Sequence, residues 1–136
     1  MNGEPYSQAD VLLIKASEDE AALRATGNPD VVLCFHAQQA LEKLFKALIS
    51  SHGVLFEKTH DLLRLVKALA DLGEVPPVTL VSLSELNDFA VEYRYDLLFQ
   101  HESPNVVELL ETVRLIREFV MNRIAALAQS PLSPPV

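Results

Sequence analysis

Apolar residues return at three- and four-residue steps along most of this chain, and that spacing predicts five helices. The first runs from about Gln8 to Ala25, with Ala9, Leu12, Leu13, Ala16, Ala22 and Leu23 as its apolar positions. Gly27-Asn28-Pro29 ends it, with Gly27 as the expected C-cap. Asp30 caps a long second helix that reaches about Ser51, where His52-Gly53 closes it. Its buried seam is Ala37, Leu41, Leu44 and Leu48. A connector follows, and Thr59 or Asp61 starts a third helix with Leu62, Leu65, Val66 and Leu69 inward and Gly73 as its stop. Pro76-Pro77 forbids continuation. Ser82-Leu83-Ser84-Glu85 has capping-box spacing for a fourth helix, which can also begin one turn earlier. Leu83, Leu86, Ala90 and Tyr93 make its seam. Ser103-Pro104 reads as a cap followed by Pro at the first helical position. The last helix extends to about Ala128, striped with Val106, Leu109, Leu110, Val113, Ile116, Val120, Ile124 and Leu127.

No segment alternates as a half-buried strand would, and no repeat or interdomain linker interrupts the pattern. The expected fold class is all-α, an up-and-down bundle of about five helices with the second and last central. Residues 1–7 read as a flexible N-terminus, 8–128 as one helical domain, and 129–136 as a flexible Pro-rich tail.

Composition narrows the function. The chain has 136 residues, 49% of them hydrophobic, which suits one domain with a real core. Nineteen acidic side chains face eleven Lys and Arg, for a net charge of -8. That disfavours nonspecific nucleic-acid binding, which depends on neutralising phosphates, and DNA is not an expected partner. It suits a basic partner. The single Cys34 lies among Val31, Val32, Leu33 and Phe35 and reads as a buried core thiol. Met1 to Asp10 is polar and lacks a signal-like apolar stretch, and no run is long enough to span a membrane. The expected location is cytoplasmic.

A polar stripe runs along the second helix. His36, Gln39, Lys43 and Lys46 share one face of the segment from Phe35 to Leu48, and Thr59-His60-Asp61-Leu62 follows after the connector. This combination resembles the second and third helices of HEPN domains, small helical proteins found beside nucleotidyltransferases and among RNA-cleaving toxins. The resemblance spans roughly residues 8–125 and is strongest over 35–62. It implies a homodimer, often encoded beside a minimal nucleotidyltransferase. From the residues themselves, three arrangements of the stripe are open. It can bind a nucleotide or face another subunit. It can be a solvated face with Glu42 and Lys46 paired one turn apart. It can be a buried hydrogen-bond network at a dimer seam, with Gln38 or Gln39 as a partner. His60 fits a cap or a loop fixed through a backbone hydrogen bond, and ligand contact is its alternative.

Ribonucleolytic HEPN proteins carry an Arg, four to six intervening residues, then a His. Here Arg94 and His101 have six between them. An imidazole can take a proton from a ribose 2′-hydroxyl or give one to the leaving oxygen, and a guanidinium can hold the phosphate. Such cleavage needs no metal. The surroundings disfavour it. Glu85, Asp88, Glu92, Asp96 and Glu102 face Arg94 alone, a local balance of -4. Tyr95 also stands where the resemblance implies a small polar residue. Read with its neighbour, Arg94-Tyr95 matches a step found in nonnucleolytic HEPN domains, with Asp96 where Pro is common; Tyr95 could stack on a base beside an Arg94-bound phosphate. The bland alternative is that Tyr93 and Tyr95 pack the helix end.

The four histidines are too scattered for a metal site, and no phosphate-cradling glycine loop exists. No cofactor is expected. The leading expectation is a nucleotide- or protein-binding module that acts with a separately encoded nucleotidyltransferase. Its ligand contacts would come from His36, Gln39, Lys43, Lys46, His60, Arg94 and Tyr95. The alternatives are a metal-independent endoribonuclease toxin using Arg94 and His101, and a structural dimerisation module.

Overall fold

A computed structural model describes residues 7–25, 30–79, 82–87 and 106–129. Every regular element among them is a helix. In chain order these are α1 (Gln8–Arg24), α2 (Asp30–Ser51), α3 (Leu62–Asp71), α4 (described over 82–87) and α5 (Val106–Ala128). The expected all-α class holds. No helix of the described residues is long and apolar enough to cross a membrane.

α2 is the axis of the fold and packs most extensively on α1, then on α5 and α3. Its predicted seam of Ala37, Leu41, Leu44 and Leu48 is fully enclosed. Leu33, Ala40, Phe45 and Ile49 are buried as well, so a broad arc of α2 is inside. Each large aliphatic or aromatic side chain removed from water in this way contributes about 1.5–3 kcal/mol. Leu62, Leu65 and Leu69 of α3 and Val113, Ile116 and Val120 of α5 complete the cluster, with Leu83 and Leu86 from α4. Cys34 is buried, as its apolar neighbours predict.

Local chemistry sets the helix ends. Ser7 and Asp10 form a capping box: each side chain accepts from the other's backbone N–H at 3.1 Å. α1 closes earlier than expected. Ala25 is its C-cap, with an extended backbone and an N–H donated to the Ala22 carbonyl, so the chain has left the helix before Gly27. Gly27-Asn28-Pro29 lies outside the described residues. Of the two proposed starts for α3, Asp61 is the N-cap and accepts from Leu63 N–H at 2.9 Å. For α4 the earlier start is the one formed. Thr79 Oγ1 accepts from Ser82 N–H, and Leu83 N–H reaches the Thr79 carbonyl, so Ser82 lies inside the helix instead of capping it. The proposed α5 start at Ser103-Pro104 and the tail 130–136 fall outside the described residues.

α3 ends in a Schellman motif. Gly73 sits at φ 83°, its N–H donates to the Ala70 carbonyl, and Glu74 N–H donates to the Leu69 carbonyl. A Cβ at Gly73 would meet no atom within 4 Å, so the backbone alone opposes substitution. Gly73→Ala should therefore cost about 1–2 kcal/mol, and Gly73→Asn less, since Asn tolerates the left-handed region. Urea denaturation of the two variants checks this; an Ala variant as stable as wild type would contradict it.

Candidate functional site

α2 carries its polar stripe into two carboxylate-centred networks. The first reaches α1. Register places Asp19 and Glu20 three and four residues beyond buried Ala16, with buried Leu23 next on the same face. Asp19 is therefore turned toward α2. Its Oδ1 lies 2.9 Å from His36 Nδ1, and its Oδ2 accepts from Lys43 Nζ. Glu20 is bound instead by Arg117 of α5, Nη1 to Oε1 at 2.6 Å, which ties the first and last helices together.

The second network joins α2 to the start of α3. Glu42 is buried and accepts from Lys46 Nζ at 2.8 Å one turn along the helix. Its other oxygen lies 2.9 Å from His60 Nδ1. Lys46 Nζ also stands 5.3 Å from the centroid of the Phe56 ring. Gln39 donates to the Gln38 amide oxygen, and Gln38 donates to the His60 carbonyl at 2.7 Å. Thr59 Oγ1 accepts from Asp61 N–H. From α4, Asn87 donates to Asp61 Oδ1 at 2.8 Å and accepts from Leu62 N–H at 3.0 Å. His60 is thus held at both its carbonyl and its ring.

An ionised carboxylate only accepts, so in both dyads the imidazole Nδ1–H donates to the carboxylate. His36 is partly covered. The His60 side chain is 77% exposed. Each site is an imidazole oriented by a buried carboxylate. Neither has a spare cation for a phosphate, because Lys43 and Lys46 already neutralise the carboxylates.

The five described candidates therefore divide. His36 and Lys43 meet on Asp19; Lys46 and His60 meet on Glu42; Gln39 braces Gln38. The Glu42–Lys46 pair forms as its spacing suggests, but both members are buried. Gln38 is enclosed and satisfied within one chain. Arg94, Tyr95 and His101 lie outside the described residues. Among the described residues no group of three His, Cys, Asp or Glu side chains could hold a metal ion.

Sequence reasoning passed over Asp19 and Glu20. They lie in the acidic run Glu18-Asp19-Glu20; the signal was their register with Ala16 and Leu23. It also passed over Glu74, the residue after the α3 stop. Glu74 is buried, with Arg123 donating to Oε1 at 2.8 Å and to Oε2 at 3.0 Å, and His52 Nε2 at 2.9 Å from Oε2. The Arg123 hydrogen bond holds its carboxyl below the usual value of 4.5, against a burial that opposes the charge.

Neither a curated protein nor a solved structure matches this chain. The model of the HEPN domain family matches residues 12–124, from the first turns of α1 to the last turns of α5. With the match covering nearly the whole bundle, the chain belongs to the HEPN domain family.

Proposed function

We propose that this chain is a HEPN binding module that works with a separately encoded nucleotidyltransferase, as its substrate or accessory subunit, and does not itself cut RNA. Membership of the HEPN family supports a nucleotide- or RNA-related setting. The observation that carries the reading is the state of the cations. Among the described residues, every Lys and Arg except Lys15 and Lys58 has a carboxylate within 4.0 Å. A surface built to hold a phosphate backbone needs cations that are available to it. Here they close the protein's own acids, and the net charge of -8 adds repulsion. A protein partner suits such a surface better than a polynucleotide, and any nucleotide would enter through the nucleotidyltransferase.

The test is incubation of the purified chain with single-stranded RNA in the presence of chelator. The expected result is no cleavage above a buffer control. Chelator-resistant cleavage leaving 2′,3′-cyclic phosphate ends, lost in both Arg94→Ala and His101→Ala, would overturn the reading. It would establish the endoribonuclease in its place, with the imidazole moving the proton and the guanidinium holding the phosphate.

A further inference from the structure

Three histidines each meet a buried carboxylate, and they differ in how much of the ring stays in water. His36 Nδ1 lies 2.9 Å from Asp19, His52 Nε2 lies 2.9 Å from Glu74, and His60 Nδ1 lies 2.9 Å from Glu42. The side chains of His36 and His52 are 27% and 16% exposed, against 77% for His60. Of these three, His60 alone joins a buried acid to a largely open ring. Its main chain is fixed as well. Gln38 donates to its carbonyl at 2.7 Å, and the next residue, Asp61, donates its N–H to Thr59 and caps α3. A side chain held this way meets a reagent in one orientation, which lowers the entropic cost of reaction.

The chemistry of such a ring follows from where its proton sits. A neutral imidazole that donates through Nδ1 carries its lone pair on Nε2. Attack through Nε2 leaves the ring positively charged, with the proton still on Nδ1 and facing Glu42. The carboxylate offsets the charge that develops as the new bond forms. Lys46 grips the other oxygen of Glu42 at 2.8 Å and keeps the acid in place beneath the ring. His36 has the same arrangement on Asp19, but its ring is largely covered. His52 is engaged through Nε2, so its lone pair in the neutral form lies on Nδ1. The electrophile that suits a lasting mark is a phosphoryl group. An acyl imidazole hydrolyses quickly in water, whereas a phosphoryl imidazole survives in alkaline solution. Membership of the HEPN family also supports a nucleotide- or RNA-related setting, where phosphoryl donors are at hand.

We propose that His60 is a modification site that accepts a phosphoryl group on Nε2, with Glu42 as the positioning residue. The Nε2 lone pair attacks phosphorus, the bond from phosphorus to the donor's leaving group breaks, and its electron pair departs with that group. The imidazole proton stays on Nδ1 against Glu42. With phosphoramidate as donor the bond broken is P–N and the leaving group is ammonia. The site goes beyond the binding-module reading and does not depend on it.

The experiment treats the full chain with phosphoramidate in mildly alkaline buffer, where histidine is ordinarily neutral. Peptide mass spectrometry under alkaline conditions gives the rate at each histidine, and phosphorus NMR separates the Nε2 product from the Nδ1 product. His60 should react faster than His36, His52 and free imidazole in the same solution, and on Nε2. Glu42→Gln should slow His60 about ten-fold, the scale on which a carboxylate behind an imidazole acts. Circular dichroism checks that this variant folds. If it does not, the wild type still decides the matter against its own urea-unfolded form, in which the preference for His60 over His36 and His52 should vanish. Reaction at His36 or His52 as fast as at His60 overturns the proposal. So does a His60 rate no greater than that of free imidazole, a product on Nδ1, a folded Glu42→Gln chain that reacts as wild type does, or a preference that persists in urea.

Discussion

Leu44→Ala should destabilise the chain by about 3 kcal/mol, within the range of about 2–5 kcal/mol for emptying an enclosed Leu site. Leu44 is buried on the axis helix, one turn from Leu41 and Leu48, inside the cluster shared by α2, α3 and α5. Neighbours on rigid helices collapse poorly into such a void, so the cavity adds to the lost transfer energy. Lys43→Ala, one residue away, should cost less, about 1–2 kcal/mol. That is still more than the roughly 0.5 kcal/mol of an ordinary surface change. Its loss leaves the buried Asp19 with His36 as its only remaining partner in this network. Chemical denaturation with an unchanged slope gives both values. Equal midpoints for the two variants would show that the buried face of α2 is assigned wrongly.

Glu74→Ala should cost about 3 kcal/mol, the lower end of the range for removing one partner of a buried ion pair. The lower end applies because Arg123 is partly exposed and can turn to water. His52 is more covered and loses its acceptor. The same carboxylate joins the end of α2, the loop after α3, and α5, so its removal loosens three elements together. The pH dependence has a definite sign. The folded carboxyl titrates below its ordinary value of 4.5, so its contribution is present above that pH and is lost as pH falls through the lowered value. Wild type should exceed Glu74→Gln in stability fully at neutral pH, and the gap should narrow only below about pH 4.5. A gap constant down to strong acid would mean that the contact adds nothing through charge.

Helix number and core composition were legible without coordinates. Periodicity on α2, α3 and α5 named Leu41, Leu44, Leu65, Ile116 and Val120 as interior, and all are buried. A helix with one apolar stripe has one way to face a core, so the pattern suffices. α1 was legible as a helix but not by its buried polar face, because Asp19 and Glu20 occupy inward positions while Val11 and Ile14 stand outside. Periodicity counts hydrophobicity and cannot register an acid that a distant cation makes tolerable. The His36, Gln39, Lys43 and Lys46 stripe was legible as one shared face, and the Glu42–Lys46 pair from its spacing, yet the partners of His36, Lys43 and His60 were not. Asp19 is 17 residues from His36, and His60 is 18 from Glu42. The knot of His52, Glu74 and Arg123 spans 49 residues between its acid and its arginine. Such pairs depend on which helices lie side by side. Local propensity therefore determined the elements and their apolar faces, while packing alone decided which buried acid meets a cation from another helix, because only burial makes an unpaired charge costly enough to select its partner.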